Sequence, residues 1–111
     1  MQGTNFRTFA EYVHVVSRNA PHALVLDWGR RLDLALLDYF QSRGEKRPVT
    51  RSEEERRIAA DSQLGPEVAL TLSQLRRLRN TVAHEQIMLA APAAASYAEA
   101  ALRMIGKLAA R

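Results

Sequence analysis

Hydrophobic residues recur along this chain at intervals of three and four positions, the spacing that places them on one face of an α-helix. The repeat predicts five helices, over residues 5–18, 21–43, 53–63, 65–84 and 92–108. Alternating apolar and polar runs bounded by Asn-Gly or Asp-Gly turns, the pattern typical of β-hairpins, do not occur. The sequence therefore predicts an all-α protein, a compact antiparallel helical bundle of about five helices.

Each predicted helix carries an apolar stripe that is expected to face the core. On the second helix the stripe advances in steps of four through Leu24, Trp28, Leu32, Leu36 and Phe40. The stripes of the fourth and fifth helices consist of Val68, Leu72, Leu75 and Val82, and of Tyr97, Ala101, Met104 and Leu108. The aromatic residues of these stripes, including Trp28 and Tyr97, are accordingly interpreted as core residues rather than as residues that stack on bases.

Helix-breaking and helix-capping residues separate the predicted helices. Pro21 suits the first turn of the second helix, and Gly44 suits its C-terminal end. Residues 45–51, EKRPVTR, read as a loop because Pro48 disfavours a helix and the charges favour water. Ser52 and the glutamates that follow it fit a capping box, which predicts that the third helix begins there.

Composition narrows the class of protein. The 111 residues suit one domain, residues 1–111, and 47% hydrophobic with 25% charged residues is typical of a globular chain. No apolar run reaches the roughly 20 residues of a membrane span, and the N-terminus lacks the pattern of a signal peptide. Cysteine is absent, which excludes disulfides and thiolate metal sites and fits a reducing cytoplasm. The isolated histidines His14 and His22 do not have metal-ligand spacing, so we expect no metal and no cofactor.

The charge balance is mildly basic. Sixteen Lys and Arg against twelve Asp and Glu give a formal net charge of +4. Most of the surplus is arginine, whose planar fork matches phosphate. The surplus indicates either an anionic partner or simply a solvated surface.

Arginine, asparagine and histidine side chains cluster at the end of the fourth predicted helix, in the segment LRRLRNTVAHE of residues 75–85. At about 100° per residue, Arg76, Asn80 and His84 line one edge of the helix. Arg79 and His84 diverge by about 140° if the helix stays regular. Cationic side chains at a helix C-terminus also stabilise its unpaired carbonyls, so a capping role is a full alternative for these residues.

Residues 79–84, RNTVAH, resemble the R-N-x-x-x-H signature of the HEPN superfamily. The wider segment, from Leu75 onward, is similar to the LRxLRNxxAH context of that family, and the order of the predicted helices from about residue 20 to 110 agrees. Bacterial mannitol-repressor-like proteins show a similar segment. Several toxin members have a tyrosine shortly after the histidine, whereas here Glu85 follows and adds negative charge.

The resemblance implies a helical bundle that dimerises and a metal-independent endoribonuclease, as in toxin–antitoxin or defence systems. It assigns catalysis to Arg79, Asn80 and His84, and we expect Arg76 and Arg77 to bind RNA. The implied partners are RNA, a second copy of the chain and an antitoxin protein, with no membrane, and the implied location is the cytoplasm. Two alternatives stay open: a non-catalytic HEPN-like regulatory or protein-interaction module, and a plain helical dimerisation domain.

Overall fold

The computed structural model describes residues 6–85 and 87–110, which form five α-helices and contain no strand. The helices are α1 Phe9–Asn19, α2 Pro21–Ser42, α3 Arg51–Ala60, α4 Gly65–His84 and α5 Ala91–Ala109. The prediction of an all-α helical bundle is thereby confirmed. None of the described helices combines the length and the apolar character that crossing a bilayer requires.

Three predicted helix ends differ from the structure by two residues or more. The first helix begins at Phe9 because the Thr8 hydroxyl accepts a hydrogen bond from the Glu11 amide at 3.0 Å and caps it. Residue 5, which the prediction included in this helix, lies outside the described residues. The predicted cap of α3 at Ser52 is wrong, because Thr50 accepts from the Glu53 amide at 3.2 Å and starts the helix two residues earlier.

Helix α3 ends at Ala60, three residues before the predicted end at residue 63, and Asp61 sets this end. One carboxylate oxygen of Asp61 accepts from the amides of Gln63 at 2.8 Å and Leu64 at 3.3 Å, which turns the chain out of the helix. The other oxygen accepts from the Tyr39 hydroxyl and from Arg43. Gly44, with φ of +73°, ends α2 as predicted.

The core lies between α2 and α5, which share the most extensive helix–helix contact of the described chain. All the apolar residues predicted to form the stripes of α2, α4 and α5 are buried. On α5 the small residues Ala94, Ala98 and Ala101 are fully buried and belong to the core. Trp28 is also buried, and its Nε1 donates to the Tyr12 hydroxyl at 3.0 Å, so its packing role is confirmed.

Helix α4 packs beside α2 and against α3. The start of α2 lies near the end of α4, because His22 Nε2 donates to the Ile87 carbonyl at 2.8 Å. Further along α2, Gly29 lies against Arg79 of α4, so the two helices run antiparallel. This arrangement places Arg79 next to the middle of α2 and Arg76 next to the N-terminal half of α3.

Candidate functional site

Helix α4 is continuous from Gly65 to His84, so the side chains of Arg79 and His84 leave it in directions about 140° apart. Arg77 and His84 are exposed and lie two turns apart on the solvent face. Arg79 lies on the opposite, inward side and is only partly exposed. Asn80, between the two faces, is half-buried. Within one chain, therefore, the predicted catalytic arginine and histidine do not form one site.

The Arg79 side chain reaches across α2 at a position where α2 has no side chain. A Cβ placed on Gly29 would lie 2.7 Å from Arg79 Cγ and 3.0 Å from the Tyr97 hydroxyl. The absence of that atom lets Arg79 pass over the helix and donate from Nη1 to Asp33 Oδ2 at 3.1 Å. The guanidinium is thus held in one orientation, with 27% of the side chain still exposed.

Tyr97 of α5 lies beneath this crossing. Its hydroxyl is buried and has no hydrogen-bond partner among the described residues. Burial raises the pKa of Tyr97 to about 12, although the neighbouring positive charge of Arg79 opposes that rise. The phenol therefore stays neutral at physiological pH and keeps a free donor beside the arginine.

The ion pair of Arg79 belongs to a larger network that joins α2, α3 and α4. Asp33 also accepts from Arg47 at 3.3 Å, and Arg47 Nε donates to Glu54 Oε1 at 2.6 Å. The second oxygen of Glu54 accepts from Arg76. We call Arg79, Asp33, Arg47, Glu54 and Arg76, in this order of contact, the ion-pair network.

Glu54 is the buried centre of this network. Only 4% of its side chain is exposed, and the side chain of Arg76 is 11% exposed. A carboxylate at such a depth requires cationic partners, because its desolvation is otherwise too costly. Burial opposes the charge of Arg47, but the hydrogen bond and attraction from Glu54 outweigh it and raise the pKa of Arg47 above its ordinary value.

An open groove of about 410 Å³ lies over the network. We call it the arginine groove; it is lined by Asp33, by residues 48–50 of the α2–α3 loop, and by the arginines Arg47, Arg51, Arg76 and Arg79. Arg51, at the first position of α3, is exposed. Four arginines that line one open groove are suited to binding an anion.

The structure thus divides four of the five predicted site residues between two surfaces, and Asn80 lies between them. Arg76 and Arg79 meet in the ion-pair network and the groove, whereas Arg77 and His84 lie on the outer face of α4. Sequence reasoning did not identify Asp33, Glu54 or Gly29 as part of the site. Their only signal in the sequence is their place on predicted helices, since their partners on α4 are distant along the chain.

No group of three or more His, Cys, Asp or Glu side chains that could hold a metal ion occurs within residues 6–85 and 87–110. Comparisons with protein-family models, with curated proteins and with solved structures find no significant match to this chain. The HEPN resemblance accordingly stays a prediction that rests on the residues of the motif.

Proposed function

We propose that this chain is a metal-independent endoribonuclease of HEPN type that acts as a homodimer. The observation that carries the proposal is the opposite placement of two complementary groups on α4. Arg79 is fixed in an arginine-lined groove, and His84 is exposed on the outer face. Because one chain separates them, the active site is proposed to combine Arg79 of one protomer with His84 of the other.

The residues suit cleavage of RNA by its own 2′-hydroxyl. One His84 takes the proton of that hydroxyl, and the oxygen attacks the adjacent phosphorus. The bond from phosphorus to the 5′-oxygen breaks, and the leaving oxygen takes a proton from a water molecule, while the imidazolium of His84 gives its proton to the resulting hydroxide. The guanidinium of Arg79 stabilises the negative charge that develops on the phosphoryl oxygens. The products are a 2′,3′-cyclic phosphate and a 5′-hydroxyl.

Asn80 and Arg77 have supporting roles in this proposal. Asn80 lies one turn before His84 on the same edge of α4 and is half-buried, and in this proposal its amide orients the imidazole. Arg77 shares the exposed face with His84 and would contact the RNA backbone there. The further proposal that the protein is a toxin or defence protein of the cytoplasm, controlled by an antitoxin, rests on the family resemblance and the absence of cysteine.

The test is incubation of the purified protein with RNA in the presence of EDTA. We expect fragments that end in 2′,3′-cyclic phosphate. His84→Ala should abolish cutting without changing the melting temperature, because His84 is exposed. His14→Ala, an exposed histidine on α1, is the matched control and should cut normally. Intact RNA after incubation with the wild-type protein would refute the enzymatic proposal.

Mixing two inactive variants tests the shared site. In a dimer of Arg79→Ala with His84→Ala, one of the two sites combines an intact arginine with an intact histidine. Half of the randomly paired dimers are of this mixed kind, so about a quarter of the wild-type activity should return. No recovery in a mixture shown to exchange subunits would refute a site built from both protomers.

A second function is favoured by one observation: Arg76 and Arg79 already have carboxylate partners in Glu54 and Asp33. In a non-catalytic HEPN-like module these pairs would hold α2, α3 and α4 together, and the exposed face of α4 would bind a protein partner. The EDTA assay separates the two functions, because the module would leave RNA intact while the folded protein remains dimeric.

A further inference from the structure

We infer that the arginine groove binds the backbone of a single nucleic-acid strand through two phosphates, with Arg51 as a phosphate contact at its edge. This inference rests on the proposed action on RNA and specifies how the strand is held. It adds Arg51 and the α2–α3 loop to residues that the motif alone indicates.

The first support is the number of unused donors. The ion-pair network occupies one nitrogen of Arg79, one of Arg76 and two of Arg47, although a guanidinium has five N–H groups on three nitrogens. Arg51 forms no ion pair among the described residues. Three of the four arginines therefore retain most of their donors, and all four line the same groove.

The second support is the local charge. Four arginines line the groove, and the carboxylates of Asp33 and Glu54 balance two of them, which leaves a local surplus of two positive charges. Glu54 lies beneath the arginines with 4% of its side chain exposed, so it presents little charge to a ligand. Two phosphodiesters, with one negative charge each, match this surplus.

The third support is the shape and chemistry of the rim. The α2–α3 loop presents Val49 fully exposed beside the arginines, so the rim of the groove combines an apolar side chain with cationic ones. A nucleic-acid strand alternates charged phosphates with apolar base faces, so it can contact both kinds of surface. At about 410 Å³ the groove has the size of a small-ligand pocket, which gives room for a few groups of a strand.

The test measures binding without cleavage. A fluorescein-labelled oligo(dT) strand lacks the 2′-hydroxyl that the proposed reaction needs, so its anisotropy reports affinity alone. Arg51→Gln should raise Kd about five- to tenfold and reduce the slope of log Kd against log salt by about 0.7, one phosphate contact on a single strand. Arg103→Gln, an exposed arginine on α5 outside the groove, should leave both unchanged.

Three results would overturn the inference: equal losses in Arg51→Gln and Arg103→Gln, duplex DNA binding as tightly as the strand, or displacement of the strand by poly-glutamate at equal charge. The last result would assign the groove to an acidic protein. The outcome is independent of the nuclease proposal. If the strand binds as expected while RNA stays intact in EDTA, the enzyme proposal fails and the groove assignment stands. If RNA is cut but Arg51→Gln binds the strand normally, the groove assignment fails and the enzyme proposal stands.

Discussion

Glu54→Gln is the substitution that tests the ion-pair network most directly. Glutamine keeps the size and one carbonyl oxygen of the side chain but removes the negative charge shared by Arg47 and Arg76. Breaking a fully buried ion pair costs roughly 3–5 kcal/mol, whereas an exposed pair contributes at most about 1 kcal/mol. Since Glu54 is 4% exposed while Arg76 is 11% and Arg47 is 28% exposed, we expect a loss of about 2–3 kcal/mol.

Urea unfolding followed by circular dichroism at 222 nm measures this loss in the free energy of unfolding, and thermal unfolding measures the matching fall in melting temperature. For a domain of about this size, 1 kcal/mol corresponds to about 4 °C, so the melting temperature should fall by about 8–12 °C. The control is Glu99→Gln on α5, an exposed glutamate with no ion pair among the described residues, which should stay within about 0.5 kcal/mol of wild type. If Glu54→Gln is no more destabilising than Glu99→Gln, the network does not stabilise the fold.

A double-mutant cycle separates the interaction energy between Arg76 and Glu54 from the effect of losing either charge alone. Arg76→Gln alone leaves Glu54 with Arg47 as its remaining partner. If Arg76 and Glu54 stabilise each other, the double variant should lose at least about 1 kcal/mol less than the sum of the two single losses. Additive losses would show that the two side chains contribute independently, contrary to the contact between them.

Two further predictions concern other parts of the site and its support. Gly29→Ala should destabilise the fold by about 1–3 kcal/mol, because the new Cβ would lie 2.7 Å from Arg79 Cγ. In an Arg79→Ala background the same change should be less destabilising, because only the 3.0 Å contact of the new Cβ with the Tyr97 hydroxyl remains, and an equal loss in both backgrounds would contradict the crossing geometry. The pKa of Asp61 is lowered, chiefly by the hydrogen bond from Tyr39, so its carboxylate stabilises the fold at neutral pH and the gain is lost as pH falls through the lowered pKa. Unfolding measured from pH 7 to 2 should show a difference between wild type and Asp61→Asn that is constant above about pH 5 and vanishes in strong acid; a difference independent of pH would refute this reasoning.

The helices and their buried faces were predictable because their signal is local. An apolar side chain every three or four residues must share one face, and burying that face is the main source of helix stability in a protein. The same local geometry predicts that Arg79 and His84 diverge, and the continuous helix confirms it. Gly44 likewise predicts the end of α2, because glycine readily adopts the positive φ that it has there.

The start of α3 was mispredicted because two caps compete within the same segment. Both Thr50 with Glu53 and Ser52 with Glu55 have the spacing of a capping box. Local propensity does not choose between them. In the structure the helix begins at Thr50, and Glu54 and Ile58, one turn apart, are both buried. The start of α3 at Thr50 therefore goes together with the burial of these two side chains.

The ion-pair network has no local signal at all. Asp33 and Arg79 are 46 residues apart, and Glu54 and Arg76 are 22 residues apart. No repeat or spacing links such pairs in a single sequence, and an acidic residue on a predicted helix looks like any solvated surface charge. The motif could indicate which residues of α4 carry chemistry, but only the packing of α2 and α3 shows which of them are held by carboxylates.

The alanines of α5 give this fold an uneven tolerance to sequence change. Because Ala94, Ala98 and Ala101 are fully buried, any larger side chain there must push α5 away from the helices packed against it. Tyr97 would move outward with α5 and leave the side of Arg79. In a saturation-mutagenesis library selected for function, these small positions should be nearly invariant, while exposed Leu102 and Arg103 on the same helix should accept most replacements.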